Sequence, residues 1–318
     1  MRLIATEIRR ASKRRLFRLG LLVATLLVIG AGLGNFFSSD DNLANARVRA
    51  RAEIADCERF AAEETETIEG REGRPPPEDF FHCGTLDEIL PAYDRIFRYA
   101  DAMRDMVRGG AVFGGIIAFL AGASFVGAEW GSGNLATFLT WEPRRAHVHV
   151  AKVLAIALCC AVVVAVLLAL VMAVHIPVAW TRGSMRGTTA EVWRTLAGIG
   201  GRGAALAALF SAAGAGLAMV MRNTAGAIVV GGVYAAVVDP LLHFWNDGRL
   251  RVWTLFRNVP QFLGYAVQQS FPSDGFGAGS LDRGPAVLSV WRPSLLLAAY
   301  VAAVIALGYV AFRARDVT

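Results

Sequence analysis

The sequence predicts an all-α, polytopic membrane protein with six transmembrane helices, and three observations carry that prediction. Apolar residues make up 55% of the chain against 18% charged, with a mean hydropathy of +0.46, a balance far from that of a soluble domain. The apolar residues gather into six runs, each close to the ~20 residues that a bilayer core requires. The net charge of +6 is almost all arginine, with Lys13 and Lys152 the only lysines, and it collects beside alternate runs. That pattern assigns the charge to membrane topology. No aromatic-interleaved basic patch is present, so nucleic acid is not among the expected partners.

Residues 1–18 hold Arg2, Arg9, Arg10, Lys13, Arg14, Arg15 and Arg18, with Leu3, Ile4, Ile8 and Ala11 at helical spacing. This mixture predicts a cytoplasmic interfacial helix lying among lipid headgroups. Arg14-Arg15-Leu16-Phe17 loosely matches a twin-arginine export signal, but further apolar runs follow and no small-x-small cleavage site appears, so the segment is expected to be retained. The first span is 16–37. Residues 38–108 are polar, with a Glu-rich patch near 63–72 and a break at Pro75-Pro76-Pro77, and they predict a small helical extracellular insertion. Before the break 43–68 reads as helix; after it Tyr93, Ile96, Phe97, Ala100, Met103 and Val107 mark one face of another. Cys57 and Cys83 lie one in each half. A bridge between them would close the Pro-rich loop and contribute about 3 kcal/mol by loop entropy; two unpaired thiols are the other reading.

The second span, 109–128, places Gly114, Ala118 and Gly122 at four-residue intervals, a register that lets helices approach closely in lipid. A polar connector, 129–149, precedes the third span, 150–174, where Cys159 and Cys160 read as packing residues. A short outer segment with His175, Pro177, Trp180 and Arg182 leads to the fourth span, 196–221, and a turn at Arg222-Asn223 leads to the fifth, 225–245. Residues 246–291 predict an extracellular amphipathic segment resting on the membrane. The sixth span, 293–312, ends in a basic tail, 313–318. With both termini on one side, the amino-terminal cluster, Arg144, Arg145, Arg222, Arg313 and Arg315 all fall on a single face. The positive-inside rule makes that face cytoplasmic.

The connector runs from Glu129 to Lys152. A helix over about Trp130 to Thr140 presents Leu135, Phe138 and Leu139 on one side, enough to fill a groove in a soluble partner. Pro143 stops it, and Arg144 and Arg145 can hold the chain at an anionic leaflet. Glu129, Gly133, Leu135, Leu139, Pro143, Arg144 with Arg145, and Lys152 together resemble the loop of type-two ATP-binding-cassette (ABC) exporter permeases. In those proteins a Glu leads a short amphipathic helix, a Gly follows four residues later, and a Pro and Arg precede a Lys that opens the next span. Two departures stand: Asn134 replaces the usual Thr, and the interval from Pro143 to Lys152 is slightly short. The resemblance extends to the basic start, the span count, the outer segment before the last span and the tail. It implies that the connector is the coupling helix docking on an ABC ATPase subunit, and that two permease subunits, in a homodimer or a heterodimer, enclose one path within the membrane lipids.

Other chemistry is less well supplied. Neither Lys13 nor Lys152 sits in a Gly-x-x-x-x-Gly-Lys frame, so the chain is expected to hold no cofactor, with ATP and magnesium bound by the partner. His147 and His149 lack a third ligand, and no metal is expected. Ser124, after Gly122-Ala123, is a candidate for an intramembrane serine hydrolase nucleophile, but His175 and His243 fall near the opposite ends of their spans and a packing role is the other reading. Arg202 and Asp239 are the notable intramembrane charges: measured from the turn at Arg222, they lie about 30 Å and about 25 Å along successive helices at the helical rise. They predict an intramembrane ion pair; an Arg202 that snorkels at the outer interface is the other reading. The sequence thus points to the permease subunit of an exporter in a bacterial plasma membrane, itself not an enzyme. A membrane anchor or sensor with a ligand-binding ectodomain is the alternative from another class.

Overall fold

The computed structural model describes residues 2–13, 15–39, 43–72, 81–93, 96–133, 140, 144–265 and 290–314. Among the described residues the fold is all-α apart from one two-residue ladder. In order the helices within the described residues are α1 (Arg2–Lys13), α2 (Arg15–Ser38), α3 (Leu43–Glu72), α4 (Leu86–Tyr93), α5 (Tyr99–Gly131), α6 (Arg145–Arg182), α7 (Ala190–Met221), α8 (Thr224–Val233), α9 (Asp239–Phe244), α10 (Leu255–Phe262) and α11 (Trp291–Ala314). A π-helical turn, Tyr234–Val238, joins α8 to α9, and a 3-10 helix, Asn246–Trp253, precedes α10. Among the described residues six helices are long and apolar enough to cross a membrane: Arg18–Ser38, Tyr99–Gly131, Arg145–Arg182, Ala190–Met221, Thr224–Phe244 and Trp291–Ala314. The chain is a multi-pass membrane protein.

It divides into two compact units. The first comprises Met1–Leu27, Met103–Met172 and Ala190–Thr318; the second comprises Val28–Ala102 and Ala173–Thr189. In the first unit small residues set the packing. A Cβ at Gly122 of α5 would strike the backbone of Ser211 on α7, and one at Gly214 of α7 would strike the backbone of Phe119 on α5. Each glycine is therefore the recess that admits the other helix. Gly114 faces Val164 of α6 instead, so the four-residue stripe on α5 serves two neighbours. Helix α11 lies along α7, and a Cβ on Gly308 would stand 2.7 Å from the Gly216 carbonyl oxygen. Many outward leucines, valines and phenylalanines are exposed, as expected where the solvent is lipid.

In the second unit α3 packs on α4, and Cys57 and Cys83 are joined as a disulfide across a sequence separation of 26. Glu88 closes the start of α4 by accepting a hydrogen bond from the Thr85 amide at 2.7 Å. That bond holds its carboxyl below the ordinary value. Apolar spacing predicts one helix over residues 93–107; instead Phe97 and Arg98 are extended and pair in parallel with Gly183 and Ser184. Gly183 makes this possible, because a Cβ there would strike the Phe97 carbonyl. His175 stacks on Phe97 and lies 3.1 Å from the Asn35 amide nitrogen.

The helices overrun the expected spans. Helix α6 has 38 residues, about 57 Å at the helical rise, nearly twice the ~30 Å hydrocarbon core. It begins inside the predicted connector, at Arg145, and runs through Pro177 to Arg182 rather than ending before His175. Pro177 lacks the amide that would bond the Ala173 carbonyl, and one turn on the Thr181 hydroxyl donates to the Pro177 carbonyl at 2.7 Å.

Candidate functional site

The connector is anchored at both roots. Helix α5 stops where Gly133 adopts φ +69, the left-handed conformation that commonly ends helices and that glycine adopts without steric cost. The Gly133 amide donates back to the Trp130 carbonyl at 3.3 Å. Gly133 thus has a backbone task that the sequence pattern alone did not reveal. At the other root Arg144 starts α6, its carbonyl accepting from the amides of His147 and Val148. Leu135, Phe138, Leu139 and Pro143 lie outside the described residues.

Between these roots sits a buried ionic cluster. Glu129, in the last turn of α5, and Lys152, two turns into α6, meet at 2.5 Å between Oε2 and Nζ. Glu7 of α1 completes the cluster, its Oε1 3.2 Å from the same Nζ. Relative exposure is 1% for Lys152, 1% for Glu7 and 5% for Glu129. Removing an ion from water costs several kcal/mol, repaid only by well-placed opposite charge. Lys152 can be buried because two carboxylates converge on it. Arg10, one helical turn on from Glu7, adds a second cation at 3.5 Å from the Glu7 carboxylate, and the Lys152 ammonium also lies 5.7 Å from the centre of the Phe125 ring.

Glu7 was not among the residues read from the sequence, yet a signal was there. With Leu3, Ile4 and Ala11 at helical spacing, position 7 falls on the apolar stripe of α1, and Glu7 is the one acid in an otherwise basic segment. An acid on an apolar face needs a buried cation. Of the two connector arginines, Arg145 has partners within the chain. Arg145 donates to the carbonyls of Phe312 and Arg313 at 3.2 and 3.3 Å, so it caps the C-terminal end of α11, where a cation suits the exposed carbonyls. Arg144 is exposed. Arg222, at the α7–α8 turn, stacks over Trp130 at 5.0 Å. The ends of α5, α6, α7 and α11 are thereby tied around one polar site.

The family model described as ABC-2 family transporter protein matches residues 1–317. The chain belongs to that family. No curated protein and no solved structure matches it. The ABC-2 proteins are membrane components of transporters, and this ABC-2 permease buries Glu7, Glu129 and Lys152 together at the roots of the connector.

A second polar site lies at the opposite end of α5. The expected pair between Arg202 and Asp239 is not formed. Asp239, 2% exposed, accepts from the amides of Leu255 and Phe256, both at 2.7 Å, and so supplies the anion that the N-terminus of α10 favours. Arg202 instead lies against Gly264, where a Cβ would stand 2.9 Å from its guanidinium. Arg108 donates to the Gly264 carbonyl at 2.6 Å and stacks on Tyr265. The pairing failed because the short helix after α9 folds back onto Asp239, and a return of sixteen residues leaves no periodic trace in sequence. Ser124 lines an apolar cavity of about 570 Å³ among α2, α5 and α6, together with Cys160 and Phe125.

Proposed function

We propose that this chain is the permease subunit of an ABC exporter that moves an amphipathic or hydrophobic substrate across a bacterial plasma membrane. A separate nucleotide-binding subunit binds ATP and magnesium and hydrolyses the ATP, and two permease subunits enclose the path. Both termini and the connector are cytoplasmic. The observation that carries the reading is the buried Glu129–Lys152 pair, which fixes both roots of the connector. A loop that only obeyed the positive-inside rule would have no reason to bury a lysine there.

Closure of the ATPase pair on ATP would push the connector, and rigid roots would pass that displacement into α5 and α6, so that alternating access follows as a population shift between two arrangements. Arg145 would carry the same displacement to α11 through its carbonyl contacts. Co-purification of the chain with an ABC ATPase encoded beside it tests the proposal. The complex is expected to form, and its ATPase rate to fall several-fold when Glu129 is replaced by Gln or Arg144 and Arg145 by Ala. An ATPase that neither binds nor responds to these changes would defeat it.

A further inference from the structure

Glu7 lies outside the connector and has a different place in the cluster from Glu129. The Lys152–Glu129 contact joins the two flanks of the connector at 2.5 Å, whereas Glu7 reaches the same ammonium at 3.2 Å from a separate helix. Its second oxygen, Oε2, is buried with no hydrogen-bond partner among the described residues. A buried carboxylate with one oxygen unsatisfied carries a desolvation cost that only its cations offset. Helix α1 is therefore held at the connector by a charge contact that is strong but incomplete. If α1 lifts away, Lys152 still keeps Glu129 and the connector roots stay paired.

We propose that Glu7 is a positioning residue of the coupling element: through Lys152 it docks α1 onto the roots of the connector, so that interfacial helix and connector move as one body. This rests on the coupling role given to residues 129–145 for its consequence, but not for the docking itself. Charge neutrality favours the arrangement, with Glu7 and Glu129 set against Lys152 and the half-exposed Arg10. Helix α1 then acts as a float at the membrane surface, and its depth fixes the height at which the connector meets its partner.

The docking is tested by limited trypsin digestion of the full chain in detergent, following cleavage at Arg9, Arg10 and Lys13 in α1 and, as an internal control, at the exposed Arg71 of α3. In Glu7→Gln, cleavage in α1 is expected to rise at least about tenfold, the scale set by losing a charge-assisted hydrogen bond, with Arg71 cut at the wild-type rate. Glu7→Asp, which keeps the charge, should fall between. Equal cleavage of α1 in wild type and Glu7→Gln overturns the proposal. So does acceleration at both sites in both variants, which would make Glu7 a general stability residue. A second readout uses the complex with the ATPase subunit: Glu7→Gln should still bind it while the ATPase rate moves several-fold toward that of the isolated subunit. Retention of the wild-type rate there, with α1 released, removes the coupled-motion part. If wild type binds no ATPase, the transporter reading falls while the digestion still judges the docking.

Discussion

Lys152 shows how one residue can define a site. A lysine in the membrane-spanning register is costly on its own, and its position two turns into α6 puts the ammonium where α1 and α5 can both bring acids to it. Asp239 follows the same logic at the far end of the bundle. It is buried beside the start of α10, and its carboxylate takes two amide hydrogens of the first turn. Asp239→Asn keeps the shape but removes the charge, and it should cost roughly 1–2 kcal/mol of local stability at a helix start. Hydrogen exchange at Leu255 and Phe256 checks this: faster exchange confined to α10 is expected, and unchanged protection would show that the cap contributes nothing.

At the scale of elements the spans were legible because length and hydropathy are properties of the segment itself. Their ends were not. Helix α6 begins at Arg145, ahead of the apolar run, with His149 and Lys152 buried on its first two turns, and it continues through Pro177 to Arg182; neither bound follows from apolar content. The small-residue stripe on α5 was visible as Gly114, Ala118 and Gly122, but not that Gly114 and Gly122 face different helices. The contact of α7 with α11 through Gly216 and Gly308 left no mark in spacing, because the two glycines lie on different helices. Gly308→Val would drive a side chain into the Gly216 carbonyl. Overpacking of this kind costs about 1–3 kcal/mol, and the thermal unfolding midpoint in detergent is expected to fall. A midpoint at or above wild type would mean that α11 is not held by this approach.

Within the first unit the two polar sites mark the two ends of α5. Arg108 and Glu129 lie 21 residues apart on α5, about 32 Å at the helical rise, close to the ~30 Å of hydrocarbon. One end gathers Glu7, Glu129, Lys152, Arg145 and Arg222 around the connector. The other gathers Arg108, Arg202 and Asp239 around α10. The family was legible from the connector, since Glu129, Gly133 and Lys152 carry the pattern. The physical use of those residues was not, because Glu7 comes from more than a hundred residues earlier and a sequence read in windows does not join the two. The same limit hid the role of Arg145, whose carbonyl partners lie at the other end of the chain.

Under the proposed function the connector end meets a cytoplasmic motor. Ser132, exposed just before Gly133, offers a direct probe. With Cys159 and Cys160 replaced, Ser132→Cys in cells and in inverted membrane vesicles is treated with a membrane-impermeant maleimide. Labelling only in the inverted vesicles is the predicted result; labelling of intact cells would place the connector outside and contradict the account.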